Sequence, residues 1–322
     1  MGSALGALNG FIRRALRPLK LRGRRSSGAR YSSVAPSRQF SDQDLRAFRA
    51  IRGVNSPPAI FVHGVTTRSG TVHLGEVLRL HPQIEAFPND IWEFPLLGTI
   101  DDLLRAQTGF FNSYKQNRGK VDELLYLPLL GSAFVNYLYQ SITPGRTLLM
   151  KVPDVAHLDY FEMVFPFERC VVLMRDGRDV VQSTISTWKE RSLSEVARDW
   201  DTRARFLLQH KARHEGDQKF FYTTYETVQA DTQALARSVF GHFGIDVSGY
   251  PFSTIAELPV RGSSSASVSE DKRVVWTPVE KPAGFKSTGR WKDNWSERQK
   301  REFKNIAGQS LIDWGYAEDL NW

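Results

Sequence analysis

The stretch from Ala59 to Pro82, AIFVHGVTTRSGTVHLGEVLRLHP, constrains the fold more than any other part of the chain. An apolar run (Ile60, Phe61, Val62) ends at Gly64, a Gly/Ser/Thr turn carries one arginine, and Val72, Leu74, Val77, Leu78 and Leu80 then recur at helical spacing. A buried strand, a tight turn and a helix in that order aim the N–H groups of the turn and of the helix N-terminus at one point, which is an anion site. A phosphate or sulfate is therefore expected where Arg68, Ser69, Gly70 and Thr71 meet the helix. The alternative is an ordinary strand-to-helix turn capped by Ser69 or Thr71. The turn does not follow the G-x4-G-K-[ST] pattern of nucleoside-triphosphate enzymes: Arg68 precedes the second glycine, and no lysine follows it.

A second segment, CVVLMRDGRDVVQSTISTW from Cys170 to Trp188, repeats the arrangement. Val171 to Met174 read as another buried strand, Arg175 follows at its end, and a helix starts near Gly177. Ser183 lies eight residues after Arg175, so it faces back toward the strand end from the second helical turn. Two strand ends of one parallel sheet, each offering a cation and a hydroxyl, suit a ligand with two separated anionic groups. The competing reading makes Arg175, Asp176, Arg178 and Asp179 a salt-bridged helix start.

Together these residues resemble the sulfotransferases that use 3′-phosphoadenylyl sulfate (PAPS). In that family a loop close to G-x-P-[KR]-S-G-T-T-x-L, followed by a helix and "HP", binds the 5′-phosphosulfate; Gly64, Arg68, Ser69, Gly70, Thr71, Leu74, His81 and Pro82 stand here in that order. Thr67 replaces the family's proline and Val72 its second threonine, so Thr71 and the backbone must make the contacts. The family's R-D-x-R-D-x-x-x-S element, which binds the 3′-phosphate, corresponds to Arg175 through Ser183. Tyr225 and Glu226, in FFYTTYE, match a tyrosine–glutamate pair that packs on the adenine. GFKSTGRWKDN, from Gly284 to Asn294, matches a phosphate-contacting loop and makes Lys286 and Arg290 candidates for the 3′-phosphate. The resemblance runs from about Pro58 to Gly315 and leans toward the glycan and bacterial type of the family.

The resemblance implies a P-loop NTPase-like sulfotransferase fold, a three-layer α/β/α sandwich on a central parallel sheet. The residues agree. Strands are expected near 58–64, 147–151, 170–174 and 219–223, and helices near 70–80, 155–164, 177–188, 194–214, 231–243 and 296–312. That alternation argues a parallel sheet covered on both faces. A mobile lid is expected between Val260 and Gly289.

The implied reaction is transfer of the sulfuryl group from PAPS to an acceptor hydroxyl of a carbohydrate, glycolipid or small metabolite. The sulfuryl group carries less charge than a phosphoryl group, so fixed cations can take a metal's place and no metal is required. Arg68 is placed to stabilise the bridging oxygen. Lys151, at the end of a strand in LLMKVP, stands where cytosolic members carry an active-site lysine. Those members have a histidine two residues later, and Pro153 occupies that position here. Other branches use a carboxylate after "HP", and FPNDIWEFP offers Asp90 and Glu93, Glu93 being preferred. Partial burial among Phe87, Trp92 and Phe94 moves a carboxylate toward the basicity that proton abstraction needs. His63 is expected to be a satisfied structural histidine, and His157 is a weaker base candidate. The rival functions are a P-loop kinase dependent on ATP and magnesium, and a non-catalytic nucleotide-binding module tethered to a membrane.

Charge separates residues 1–45, read as a tail, from the sulfotransferase domain expected over 46–322. Residues 1–41 hold nine of the 43 Lys/Arg and no acid, leaving 34 basic residues against 35 acidic ones in the remainder. The net charge of +8 thus belongs to the tail and does not mark a nucleic-acid-binding domain. Leu5, Leu8, Ile12, Leu16 and Leu19 recur at helical spacing with Arg13, Arg14, Arg17 and Lys20 off the stripe. Residues 1–22 therefore suit an anionic membrane surface, with a mitochondrial transit peptide and a disordered arm as alternatives. A single cysteine, Cys170, excludes an intramolecular disulfide and fits a cytoplasmic enzyme. Leu124 to Ile142 has nineteen residues without a charge, but Pro128, Gly131, Ser132, Asn136 and Gln140 interrupt it. One or two buried helices are expected there, walling the acceptor pocket with Phe134, Tyr137 and Tyr139, and no transmembrane span.

Overall fold

The computed structural model describes residues 39–86, 93–113, 116, 119–120, 122–258, 266–268, 274–276 and 286–322. The basic segment 1–22, Asp90 and most of the expected lid lie outside the described residues. Five strands form one parallel sheet: β1 (Ile60–Gly64), β2 (Ile84–Ala86), β3 (Thr147–Val152), β4 (Arg169–Met174) and β5 (Phe220–Thr224), in the order β2-β3-β1-β4-β5. The central pairings are in register from Ile60 against Leu149 and Arg169 onward, which brings the C-terminal ends of β1, β3 and β4 to one edge.

The strands are apolar on both faces because both are covered. Phe61, Met150, Cys170, Val172 and Met174 pack into one core. Ile60, Val62, Leu149, Val171 and Leu173 pack into the other. The second face is covered by α2 (Thr71–Arg79) and α9 (Thr232–His242), whose Leu74, Val77, Leu78, Leu235, Val239 and Phe240 complete that core. The first face carries α4 (Tyr126–Tyr139), the short α5 (Phe161–Val164), α6 (Gly177–Thr187), α7 (Leu193–Arg213) and α11 (Glu297–Asp313). Short helices α8 (Tyr225–Ala230) and α10 (Trp291–Asn294) follow β5 and precede α11. Strands β6 (Ala266–Val268) and β7 (Val274–Trp276) pair antiparallel inside the region read as a lid.

Besides the short α8 and α10, two longer helices were not foreseen, and one bears on the domain boundary. Helix α1 (Asp42–Arg52) begins within the stretch read as tail, held by a capping box between Ser41 and Asp44, with Phe40 edge-on to Phe48 at 5.1 Å. Helix α3 (Ile100–Asn112) carries Asp101 and Asp102 in its first turn, where the helix dipole favours them. The uncharged stretch 124–142 forms one helix, α4, and no helix among the described residues is long and apolar enough to cross a membrane. Tyr139 corrects its expected place: it faces the core, donating its hydroxyl to Pro57 O at 2.6 Å, while Phe134 and Tyr137 remain on the surface.

Helix α1 is fastened by an internal ion pair. Arg52 Nε donates to Glu168 Oε1 at 2.6 Å and Nη2 to Oε2 at 2.9 Å, and Ala59 N donates to the same Oε2. Both side chains are buried, and the Arg52 guanidinium also lies 4.8 Å from the Tyr139 ring. Burial alone would lower the Arg52 pKa, but the carboxylate more than offsets it and the net shift is upward.

His63 sits as a structural histidine. Its Nδ1 donates to Asp154 O at 2.9 Å, its ring lies edge-on to Phe161, and burial lowers its pKa to about 4. The unfolded chain takes up this proton near pH 6.5, whereas the folded one takes it only near pH 4. The stability that the neutral ring contributes is therefore full above pH 6.5 and is lost as pH falls toward 4. About 2 kcal/mol of it is expected to vanish between pH 7 and 5. Thermal melts should show a smaller loss over that interval in His63→Gln than in the unsubstituted protein; equal slopes would remove His63 from the account.

Candidate active site

The loop after β1 is closed on itself. Ser69 Oγ donates to Thr66 O at 2.5 Å and accepts from Thr66 N at 3.1 Å, so this buried hydroxyl holds the turn. Arg68 takes a left-handed backbone (φ 72°), costing a non-glycine residue about 1–2 kcal/mol. Gly70 has φ 95°, and a Cβ there would lie 2.3 Å from the Tyr225 ring, so only glycine lets Tyr225 press against the loop. Thr71 is buried at the first turn of α2, Val72 is half-buried and Thr67 is exposed.

Arginines from three parts of the chain converge on this loop. Arg68 Nε donates to Ser183 Oγ at 3.0 Å, joining the ends of β1 and β4, a direct contact that the sequence reading did not foresee. Arg175 Nη1 donates to Arg68 O at 2.6 Å, Nη2 donates to Ser287 O at 2.5 Å, and the guanidinium stacks 4.2 Å from the Tyr225 ring. Burial, then the neighbouring charges of Arg175 and Arg290, lower the Arg68 pKa to about 10. Three guanidinium groups held this close make the loop strongly positive, a setting that favours an anion. Arg175 Nε is buried with no hydrogen-bond partner among the described residues. Carbonyls take the Arg175 Nη1 and Nη2 bonds, and the carboxylates of Asp179 and Glu226 lie within electrostatic reach of its guanidinium.

The acids nearby serve the scaffold. Asp176 caps α6 by accepting from Arg178 N at 2.8 Å and pairs with the Arg178 side chain. Arg178 in turn packs on the touching rings of Trp291 and Trp322, at 4.4 and 4.5 Å. Gly177 admits Trp200 beneath this helix start, a Cβ there falling 2.5 Å from the ring, and Trp200 Nε1 donates to Arg175 O. Asp179 accepts from Gly289 N at 2.8 Å and Arg290 N at 3.0 Å, which fixes the C-terminal loop beside the arginines. Glu226 accepts from Asp176 N and from the Tyr316 hydroxyl, both at 3.1 Å, and burial raises its pKa. These contacts place Glu226 in the framework, while Tyr225 fronts the loop. Lys286 is exposed, and Arg290 is half-buried.

Lys151 and Glu93 meet at the end of β3. Lys151 Nζ donates to Glu93 Oε1 at 2.5 Å, and Phe94 N donates to Lys151 O. Lys151 is almost wholly buried, whereas the Glu93 side chain is 53% exposed. The burial expected around Glu93 is thus replaced by an ion pair with the lysine. Phe94 points away into the core beside Phe61. His157 is buried with a left-handed backbone and lies 3.5 Å from Asp101.

Residues 58–249 match the model of the sulfotransferase family. The chain belongs to that family. No curated relative matches it. Among solved structures, the sulfotransferase is similar to the sulfotransferase domain of the curacin biosynthetic pathway, with 16% identity over 79% of this chain and 97% of that one and a TM-score of 0.47. It is also similar to mouse sulfotransferase SULT7A1 complexed with PAP (13% identity, 86% and 94% covered, TM-score 0.47). Retinol dehydratase in a complex with retinol and PAP is a third such structure (15%, 84% and 86%, TM-score 0.45).

Sequence reasoning missed the residues that support the sulfotransferase site from afar. Tyr316 and Ser287 reach it only through tertiary contact, and no local pattern distinguishes them. Trp188, 5.9 Å from the Arg68 guanidinium, had one signal: it closes the helix that carries Ser183.

Proposed function

We propose that the protein transfers the sulfuryl group of PAPS to a hydroxyl of a carbohydrate, glycolipid or small metabolite. The observation that carries this reading is the convergence of Arg68, Arg175 and Arg290 on one glycine-containing loop, with a buried Arg175 N–H unpartnered among the described residues. In this reading Ser183 and Arg175 hold the 3′-phosphate. The turn from Thr67 through Val72 holds the 5′-phosphosulfate, its N–H groups at the start of α2 supplying donors. Tyr225 offers its ring to the adenine, and Lys286 and Arg290 close over the phosphates.

The acceptor oxygen attacks sulfur in line as Glu93 takes its proton. The S–O bond to the phosphate breaks, and the electron pair leaves on the phosphate oxygen of adenosine 3′,5′-bisphosphate. Arg68 and Lys151 stabilise the charge that builds on the bridging and transferring oxygens. Lys151 also orients the base: it occupies Glu93 Oε1, leaving Oε2 for the acceptor. Asp90 is the alternative base.

Glu93→Gln separates catalysis from binding. Removal of a general base lowers turnover by about 10²–10⁴-fold. Affinity for adenosine 3′,5′-bisphosphate, measured by calorimetry, should stay within about twofold of the unsubstituted protein, since Glu93 belongs to the acceptor side. If turnover of labelled PAPS with a panel of alcohols is unchanged in Glu93→Gln, the base is elsewhere. If no acceptor is sulfated while the nucleotide binds, the protein is a binding module.

A further inference from the structure

The N-terminal end of β5 is the opposite end of the sheet from the arginine cluster, and a second group of functional side chains gathers there. Glu162 comes from α5, His214 caps the C-terminus of α7, and Asp217 lies in the turn that enters β5. Their donor atoms lie within 4.8 Å of one another, with His214 Nδ1 at 3.3 Å from Asp217 Oδ2 and 3.9 Å from Glu162 Oε2. Adjacent ligands of a tetrahedral zinc ion, bound at about 2.0–2.1 Å, stand about 3.3–3.4 Å apart.

Both carboxylates are oriented through their other oxygen, and without an ion His214 Nδ1 donates to Asp217 Oδ2 at 3.3 Å, a bond that a metal ion would replace. Glu162 Oε1 pairs with Lys219 Nζ at 3.4 Å, which turns Oε2 toward His214. Asp217 Oδ1 accepts from Lys219 N at 2.8 Å, which turns Oδ2 the same way. The His214 ring is stacked 4.3 Å from His210 and 4.5 Å from Phe220. Preoriented ligands of this kind characterise metal sites. The C-terminal end of α7 adds its negative dipole, which favours a cation. All three side chains retain exposure, 18% for His214, 28% for Asp217 and 43% for Glu162, so an ion has a path in and a solvent ligand can complete the shell.

We propose that Glu162, His214 and Asp217 form a binding site for a zinc-class divalent cation, remote from the sulfuryl-transfer site. An imidazole with two carboxylates selects such an ion over magnesium or calcium, which take all-oxygen sets. The ion links α5, α7 and the entry to β5, and so fastens the edge strand of the sheet.

Zinc chloride titrated calorimetrically into the metal-stripped full-length protein tests this. The expected result is one saturable site, a rise in melting temperature with zinc, and at least a tenfold loss of zinc affinity in both Glu162→Gln and His214→Ala. Glu162→Gln is a conservative change at a side chain that is 43% exposed, so it guards against misfolding of the His214 variant. Its affinity for adenosine 3′,5′-bisphosphate should be unchanged. Absence of zinc binding would leave His214 as a hydrogen-bond partner of Asp217 and overturn the proposal. Binding that both variants retain would place zinc elsewhere and overturn it equally.

Discussion

Arg175→Ala is expected to lower the affinity for adenosine 3′,5′-bisphosphate by roughly 30- to 1000-fold, about 2–4 kcal/mol. Three effects add. The ligand loses a buried cation whose Nε has no protein partner among the described residues. The carbonyls of Arg68 and Ser287 lose their donor, which loosens the β1 loop and the C-terminal segment together. Tyr225 loses the guanidinium that lies 4.2 Å from its ring. Arg175→Lys keeps a charge but not a planar fork that can bond two carbonyls and a ligand at once, and should recover only part of the loss. Calorimetry in EDTA reads the result. An affinity within threefold of the unsubstituted protein would remove the 3′-phosphate from this site, and binding of ATP–magnesium instead would return the loop to the kinase reading.

Glu168→Gln should destabilise the fold by about 3–5 kcal/mol, since breaking a buried pair from one side leaves the other charge uncompensated. The stranded group is Arg52, whose remaining partners are the carbonyls of Ser56 and Pro57. The same carboxylate holds Ala59 N, the residue that leads into β1, so the loss reaches the strand that presents the anion loop. Urea unfolding read by circular dichroism checks the magnitude. The double substitution Arg52→Met with Glu168→Gln should be more stable than Glu168→Gln alone, because no charge is then stranded. If the single substitution costs under 1 kcal/mol, the pair is not a fastening of the fold.

Much of the fold was legible because its signals are local. Continuous apolar runs bounded by glycine or a charge located β1, β3, β4 and β5 within one or two residues. β2 escaped because three residues carry no period, and it exists only through its pairing with Thr147–Leu149. Helix α3 begins five residues beyond Pro95 with acids in its first turn, a helix-start signal that was present in the sequence. At the site, the two strand–turn–helix units were legible, but the bond between Arg68 and Ser183 was not; it follows from β1 and β4 being adjacent strands. The ion pair between Lys151 and Glu93 does not follow from any pattern. Each was chosen for its own role, and their contact arises where the chain before α3 runs alongside β3 as a single bridge.

The sequence by itself determined a doubly covered parallel sheet and a glycine-containing turn after its central strand, because apolar period, glycine and helix starts act over a few residues. Tertiary structure alone decided which charges meet. It joined Arg52 to Glu168 across 116 residues and Arg175 to Ser287 across 112. It set Asp176, Asp179 and Glu226 against backbone N–H groups of the helix start and the C-terminal loop, and it set Lys151 against Glu93. Coulomb and hydrogen-bond energies depend on distances of a few ångströms between groups remote in sequence, and only the packing of helices against the sheet fixes those distances.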